Sequence, residues 1–348
     1  MRARDVAVAL AIMLAGMTGS RAETYPSKPI TLIVPFPAGG PTDTIARVLT
    51  EHMSRTLGQS FLIEAVSGAG ATIGVGRVVS APPDGYTLII GNWTSHVGSP
   101  AIYPLSWHPV NDLTAIVRLP VSSLMIVGRE SLPPNNATEL IAWLKAKPEP
   151  ATAASVGAGS GAHICGLYFA QHTGTKLQFV FYRGGAPAMQ DMLAGTIDTM
   201  CAEASQTLAH VTAHKMKAFA VMGRTRYAGL PDVPTMEEIG ISGMDISFWH
   251  GLWAPKGTPN DIVEKLNLAA VKALGDPAVQ ARVAALGMTI PAKEQLTPKA
   301  LHDFHQAEVD KWWPIIKSYG IKLGSRRNDE LPERVVRLQG AMSFGSPH

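Results

Sequence analysis

Ile30-Thr-Leu-Ile-Val34, running on into Pro35-Phe-Pro-Ala-Gly-Gly-Pro-Thr-Asp43, decides the fold class. The first five residues are all apolar or β-branched, the composition of a strand buried on both faces of a parallel sheet. Proline and paired glycines then break the run. From Thr42, the spacing of Ile45, Val48, Leu49, Met53 and Leu57 predicts a helix with one apolar stripe, ended by Gly58. Thr42 or Asp43 is placed to cap its start. A buried strand that turns directly into a helix is half of a βαβ unit.

The same design recurs outward along the chain. Phe61 to Val66 reads as a strand, Ser67-Gly-Ala-Gly70 as a turn, 71–80 as a short helix, and Tyr86 to Ile90 as the next strand after the Pro82-Pro-Asp-Gly85 turn. Leu124 to Val127 opens a second series. Its helices are expected over Ala137–Lys147 and His163–His172, and its strands over Thr152–Val156, Leu177–Phe181, Ile197–Met200 and Ala218–Val221. After Trp249 the pattern turns helical, with helices over Pro259–Leu274 and Pro277–Leu286 and a third opened by Thr297-Pro298. Alternating strands and helices imply mainly parallel sheets flanked by helices, with ligands bound outside the carboxyl ends of the strands.

Length and composition agree with two domains. The chain has 348 residues, 46% of them hydrophobic. Arg2 and Arg4, then an apolar run from Val6 to Met17, then Ser20-Arg21-Ala22, form the pattern of a cleavable secretory signal over residues 1–22. Without that leader the formal charge of +3 falls to about +1, since Arg2, Arg4, Arg21 and Asp5 leave with it. A near-neutral chain has no bulk electrostatic attraction to nucleic acid or to a membrane surface. Residues 325–348 read as a polar, irregular tail.

Two glycine-rich loops carry the chemistry. In Pro35–Asp43, small residues let backbone N–H groups approach a ligand just where a helix begins, the design of an anion site; an ordinary strand-to-helix turn would read the same way. The Lys of a phosphate loop is missing. Gly157-Ala-Gly-Ser-Gly-Ala-His163 repeats the arrangement in the second series. Two such loops face to face would clamp one carboxylate-bearing ligand. Ser160 adds a hydroxyl, and His163 either touches ligand or packs at the helix start. The residues two before and two after Ser160 are Ala158 and Ala162, so this is no nucleophile elbow.

Cys165 and Cys201 are the only cysteines. Export would allow a disulfide, but the reading favours two separately buried, inert thiols. With His163 they match no zinc spacing. His210 and His214 read as solvated surface residues, and Met189, Met192 and Met200 as core. Neither a catalytic residue nor a cofactor nor a metal is expected.

Taken in order, eight segments resemble the Bug-type solute receptors, the extracytoplasmic binding proteins of tripartite tricarboxylate transporters. They are Tyr25-Pro-Ser-Lys-Pro-Ile30, Pro35-Phe-Pro-Ala-Gly-Gly40 with Asp43, Gly68-Ala-Gly-Ala-Thr-Ile-Gly74, Pro83-Asp-Gly-Tyr-Thr-Leu88, Gly159-Ser-Gly161 with His163, Tyr182-Arg-Gly-Gly-Ala-Pro187, Leu230-Pro-Asp-Val-Pro-Thr235 and Ala254-Pro-Lys-Gly-Thr-Pro259. The resemblance covers residues 25–324. It implies an α/β, type II periplasmic-binding-protein fold (a Venus flytrap): two lobes with mixed, mainly parallel sheets flanked by helices. Lobe 1 would comprise 23–121 and 248–324, and lobe 2 122–247, with crossings near Leu119–Ser122 and Ser247–Trp249. It also implies a periplasmic monomer that delivers a small carboxylate (a di- or tricarboxylate, an acidic amino acid or an aromatic carboxylate) to membrane permease subunits.

The implied ligand-binding set is Phe36, Pro37, Ala38, Gly39, Gly40, Asp43, Trp93, Thr94, Gly159, Ser160, Gly161, Ala162, His163, Gly184, Gly185 and Glu203. The sequence departs from the family pattern at Glu64-Ala-Val-Ser67, at Leu167 after Gly166, at Arg183, and at Cys201-Ala202-Glu203. These positions surround the variable end of the ligand. Trp93 and Trp249 suit a flat ligand or hinge packing, and a cleft-facing Glu203 would favour an amine or another hydrogen-bond donor. Two rival readings use the same residues: a receptor that presents ligand to a two-component sensor, and a hydrolase using His163 with Cys165 or Cys201.

Overall fold

In a computed structural model, residues 24–243 and 246–321 are described; the expected leader and tail lie outside them. The chain opens with β1 (Ile30–Val34), α1 (Pro41–Leu57), β2 (Phe61–Ala65), α2 (Thr72–Val79) and β3 (Thr87–Asn92). Strand β1 pairs in parallel with both β2 and β3. One π-helical turn, Thr94–Gly98, leads towards β4 (Leu113–Arg129), a strand of 17 residues. Next come α3 (Ala137–Ala146), β5 (Ala151–Ser155), α4 (Gly161–Thr173), β6 (Leu177–Phe181), α5 (Gly185–Leu193), β7 (Thr199–Glu203), α6 (Ala204–Thr212) and β8 (Met216–Val221). The chain returns as β9 (Ser247–Pro255) and ends in α7 (Asn260–Leu274), α8 (Pro277–Ala285), β10 (Met288–Thr289) and α9 (Pro298–Ser318).

The strand order β2-β1-β3-β9-β4-β7-β5-β6 makes two sheets that share β4. From Leu113 to Ser123, β4 lies antiparallel to β9; from Leu124 to Arg129 it pairs with β7 and β8. The handover therefore falls between Ser123 and Leu124, slightly beyond the crossing read at Leu119–Ser122. Residues 124–127 do not begin a new strand. They continue the old one, across a register shift between Leu119 and Val121 that accommodates Pro120.

Register fixes which strand ends meet. Asn92 at the end of β3 lies opposite His250 of β9, and Glu203 at the end of β7 lies opposite Leu124. The carboxyl ends of β1 and β3 on one sheet, and of β5 and β7 on the other, thus all point to the handover. Loops leaving those ends must face each other.

Helix α1 buries Ile45, Val48, Leu49 and Met53 against the first sheet and α7, as its stripe requires. Met189, Met192 and Met200 fill the core between α5 and the second sheet. A further cluster crosses the handover, joining Trp93, Trp249, Trp253 and Trp312 to Ile164, Cys201 and Phe248. Helix α4 is buried nearly all round its first two turns, with Ile164, Cys165 and Phe169 inside, rather than the stripe of Ile164, Leu167 and Tyr168 that the sequence suggests. It lies against β7, and Cys165 and Cys201 form a disulfide with Cα atoms 6.1 Å apart. This corrects the expectation of two separate thiols: facing positions on packed elements come within bridging distance.

Candidate ligand-binding site

The loop after β1 leads into α1 through Gly40. No side chain caps this helix. Neither Thr42 nor Asp43 serves as the cap, because the helix already begins at Pro41. Instead the Asp43 carboxylate accepts the Gly39 N–H (3.0 Å) and is held by Arg47 Nε (2.9 Å). Burial pushes the Asp43 acid up, but Arg47 and the Gly39 N–H outweigh it and the group stays below the usual carboxylate range. Asp43 therefore braces the loop. Gly39 sits at φ 83°, a conformation that glycine adopts without a Cβ penalty. Pro37, Ala38 and Gly39 are exposed, Phe36 and Gly40 are half-buried, and the first-turn N–H groups of α1 have no capping side chain.

The opposing loop is built differently. Ser160 caps α4 by accepting the His163 N–H (3.3 Å) and contacts Ser155 Oγ (3.0 Å). The His163 ring is 6% exposed, accepts the Gly159 N–H on Nδ1 (3.2 Å) and packs edge-on against Phe179 and Phe181. Burial lowers its pKa to about 4, so it is neutral at pH 7. This is the packing role of the two weighed for it. Ala162 is buried beside it.

Each loop touches the other half across the handover: the second meets the π-turn, and the first meets the start of α5. Gly161 N–H donates to Thr94 Oγ1 at 3.0 Å. A Cβ on Gly98 would stand 2.2 Å from the Gly159 carbonyl oxygen, and one on Gly184 would stand 3.2 Å from Pro37 Cγ. The sequence reading missed Gly98, whose role depends on a contact 61 positions away. It also missed Asn92, which accepts the Thr94 N–H (3.0 Å) and donates to Thr42 Oγ1 (3.1 Å), so that it ties the π-turn to α1. Gly184 and Gly185 open α5, again without a capping side chain, and Gln206 lies against Gly185.

Trp93 is fully buried and stands edge-on to Trp312, with its ring centroid 5.5 Å away. Trp249 is also fully buried and donates to Glu308 (3.0 Å). His214 lies past the end of α6 at φ 52°, so it and His210 do not share a helix face. Both thiols are tied up in the disulfide, which removes the nucleophile from the Cys–His reading.

Comparison with known proteins settles the kinship. A sequence profile described as "Tripartite tricarboxylate transporter family receptor" matches residues 45–321. The chain belongs to this family. The receptor is 38% identical over 324 residues, 92% of each chain, to a protein of Agrobacterium vitis encoded in the TAR-I ttuE-ttuC' intergenic region. Among solved structures it is similar to MatC from Rhodopseudomonas palustris with bound malate (34% identity, TM-score 0.80, 84% of this chain and 100% of that one). It is also similar to the periplasmic binding protein BugD (36% identity, TM-score 0.80, 86% and 99%). The fold is therefore that of the periplasmic binding proteins, and the family consists of solute-binding receptors, not enzymes. No helix among the described residues is long and apolar enough to cross a membrane.

Proposed function

We propose that the receptor captures a small carboxylate between two lobes that meet at the β4 handover, and delivers it to the permease subunits of a tripartite tricarboxylate-type transporter. Lobe 1 is then 23–121 with 248–324, and lobe 2 is 122–247. The protein works as a monomer in the periplasm after losing residues 1–22. The observation that carries this reading is that the strand ends of both sheets converge on the handover, where α1 starts uncapped after exposed small residues and Gly161 of the second glycine-rich loop reaches across to Thr94. An uncapped helix start favours an anion, and a ligand touching both loops favours their contact. The malate bound by MatC supports the ligand class.

The test is a thermal melt of the mature protein against di- and tricarboxylates, acidic amino acids and aromatic carboxylates. A ligand at about 100 times its Kd stabilises by about 2.7 kcal/mol. With roughly 300 folded residues that raises Tm by about 4 °C. A shift confined to one chemical class names the ligand. A folded, ligand-free protein that shifts with none of them refutes the carboxylate reading.

A further inference from the structure

Glu203 ends β7 and immediately precedes α6, at the strand end that faces the handover. It is 8% exposed, and its Oε2 is sealed from solvent without a hydrogen-bond partner. The hydroxyl of Ser205, two residues on, is sealed from solvent as well and is the side chain that acts on the Glu203 acid. Strand alternation puts Glu203 on the face of Cys201, the face covered by α4, and away from Met200 and Ala202, which point into the α5 core. No cation acts on Glu203 among the described residues: burial and the Ser205 hydroxyl are what its acid feels. Helix α6 has no capping side chain.

A buried carboxyl with an unpartnered oxygen and no cation beside it is costly in a folded chain unless something arrives to satisfy it. The ionised carboxyl only accepts, and the hydroxyl beside it can accept a further hydrogen bond. The group that satisfies both together carries positive charge and several N–H donors. A ligand whose only polar groups are carboxylates would instead set an anion against an acid that has no cation beside it. Burial supports the same reading, since it raises the Glu203 acid to about 8, where an arriving ammonium would ionise it and release the proton to solvent.

We infer that Glu203, with Ser205, is a specificity-determining seat for a ligand ammonium, so that the receptor takes an amino-carboxylate: its carboxylate lies at the start of α1 and its ammonium at the end of β7. This rests on the carboxylate reading above and narrows it.

The test uses ligand pairs that differ in the amino group alone: L-aspartate with succinate, L-glutamate with glutarate, 4-aminobutyrate with butyrate, and 4-(aminomethyl)benzoate with 4-methylbenzoate. Affinities are measured calorimetrically on wild type, Glu203→Gln and Ser205→Ala. In at least one pair the amino member binds wild type more tightly. Glu203→Gln weakens that member by at least about 30-fold and moves its des-amino partner by less than about 3-fold. Ser205→Ala weakens it by about 5-fold, and carries the test alone should Glu203→Gln fail to fold. Des-amino members that bind as well as or better than their partners in every pair, or substitutions that move both members alike, overturn the inference and leave the carboxylate reading standing. If wild type binds no carboxylate of either kind, the carboxylate reading falls and the inference falls with it.

Discussion

Breaking the Cys165–Cys201 disulfide probes the second sheet most directly. The cysteines are 36 residues apart in sequence, and the bond ties α4, which Ser160 opens, to β7, which Glu203 ends. Freeing a loop of that length returns about 13 cal/mol/K of entropy to the unfolded chain, or about 4 kcal/mol at 25 °C. Spread over roughly 300 folded residues, this lowers Tm by about 6 °C. Reduction of the wild-type protein isolates the cross-link, because no atoms are deleted. The double Cys165→Ala, Cys201→Ala variant loses somewhat more, since both side chains are buried. Thiol titration of the unfolded, unreduced protein should find no free thiol, and oxidised and reduced samples are then melted side by side. Two free thiols per chain, or melts within about 1 °C of each other, would refute the reasoning.

Other outcomes follow from the same contacts. Thr94→Val removes the acceptor for Gly161 N–H and should weaken ligand binding about 5-fold, the value of one net hydrogen bond, while Thr94→Ser stays near wild type. Calorimetry with a panel ligand checks this, and equal affinities for Val and wild type would show that the bridge contributes nothing. Burial lowers the pKa of His96 well below 6.5 and those of His163, His250 and His305 to about 4. The unfolded chain binds protons that the folded chain refuses, so stability is full above about pH 6.5 and falls as pH drops towards 4. Each histidine contributes at most about 1.4 kcal/mol per pH unit in that window, partly offset by Glu203, whose raised pKa acts in the opposite sense. Urea midpoints at pH 7, 6 and 5 should fall in that order, and a flat profile would contradict neutral burial of these rings.

Local chemistry made much of the fold legible. The buried run at Ile30–Val34 and the stripe of α1 need no distant partner to be recognised. The capping at Thr297 was legible for the same reason: its hydroxyl accepts the Ala300 N–H at 3.1 Å, and Pro298 stands in the first turn, where a missing N–H leaves no helix bond unmade. What stayed hidden depends on two distant segments meeting. Nothing in Leu113–Arg129 announces that one strand serves two sheets, because the handover at Ser123 is set by which partners arrive. The disulfide stayed open because sequence gives a residue's face only where periodicity is clear, and α4 is apolar on nearly every side. The site loops were recognisable as loops. The tasks of Asp43 and His163, which brace the backbone rather than stand free, follow from contacts four residues away that several rotamers could have made or missed.

The shared strand has a mechanical meaning. Because β4 passes unbroken from one sheet to the other, with β9 laddered beside it as far as Ser247, the two halves cannot slide past each other without tearing hydrogen bonds. Any relative movement of the proposed lobes would then be a swivel, with β4 as a torsion bar around Ser123. A torsion bar allows essentially one path of travel, so in the proposed closure the loop carrying Gly39 and the loop carrying Gly161 would come back to the same alignment each time.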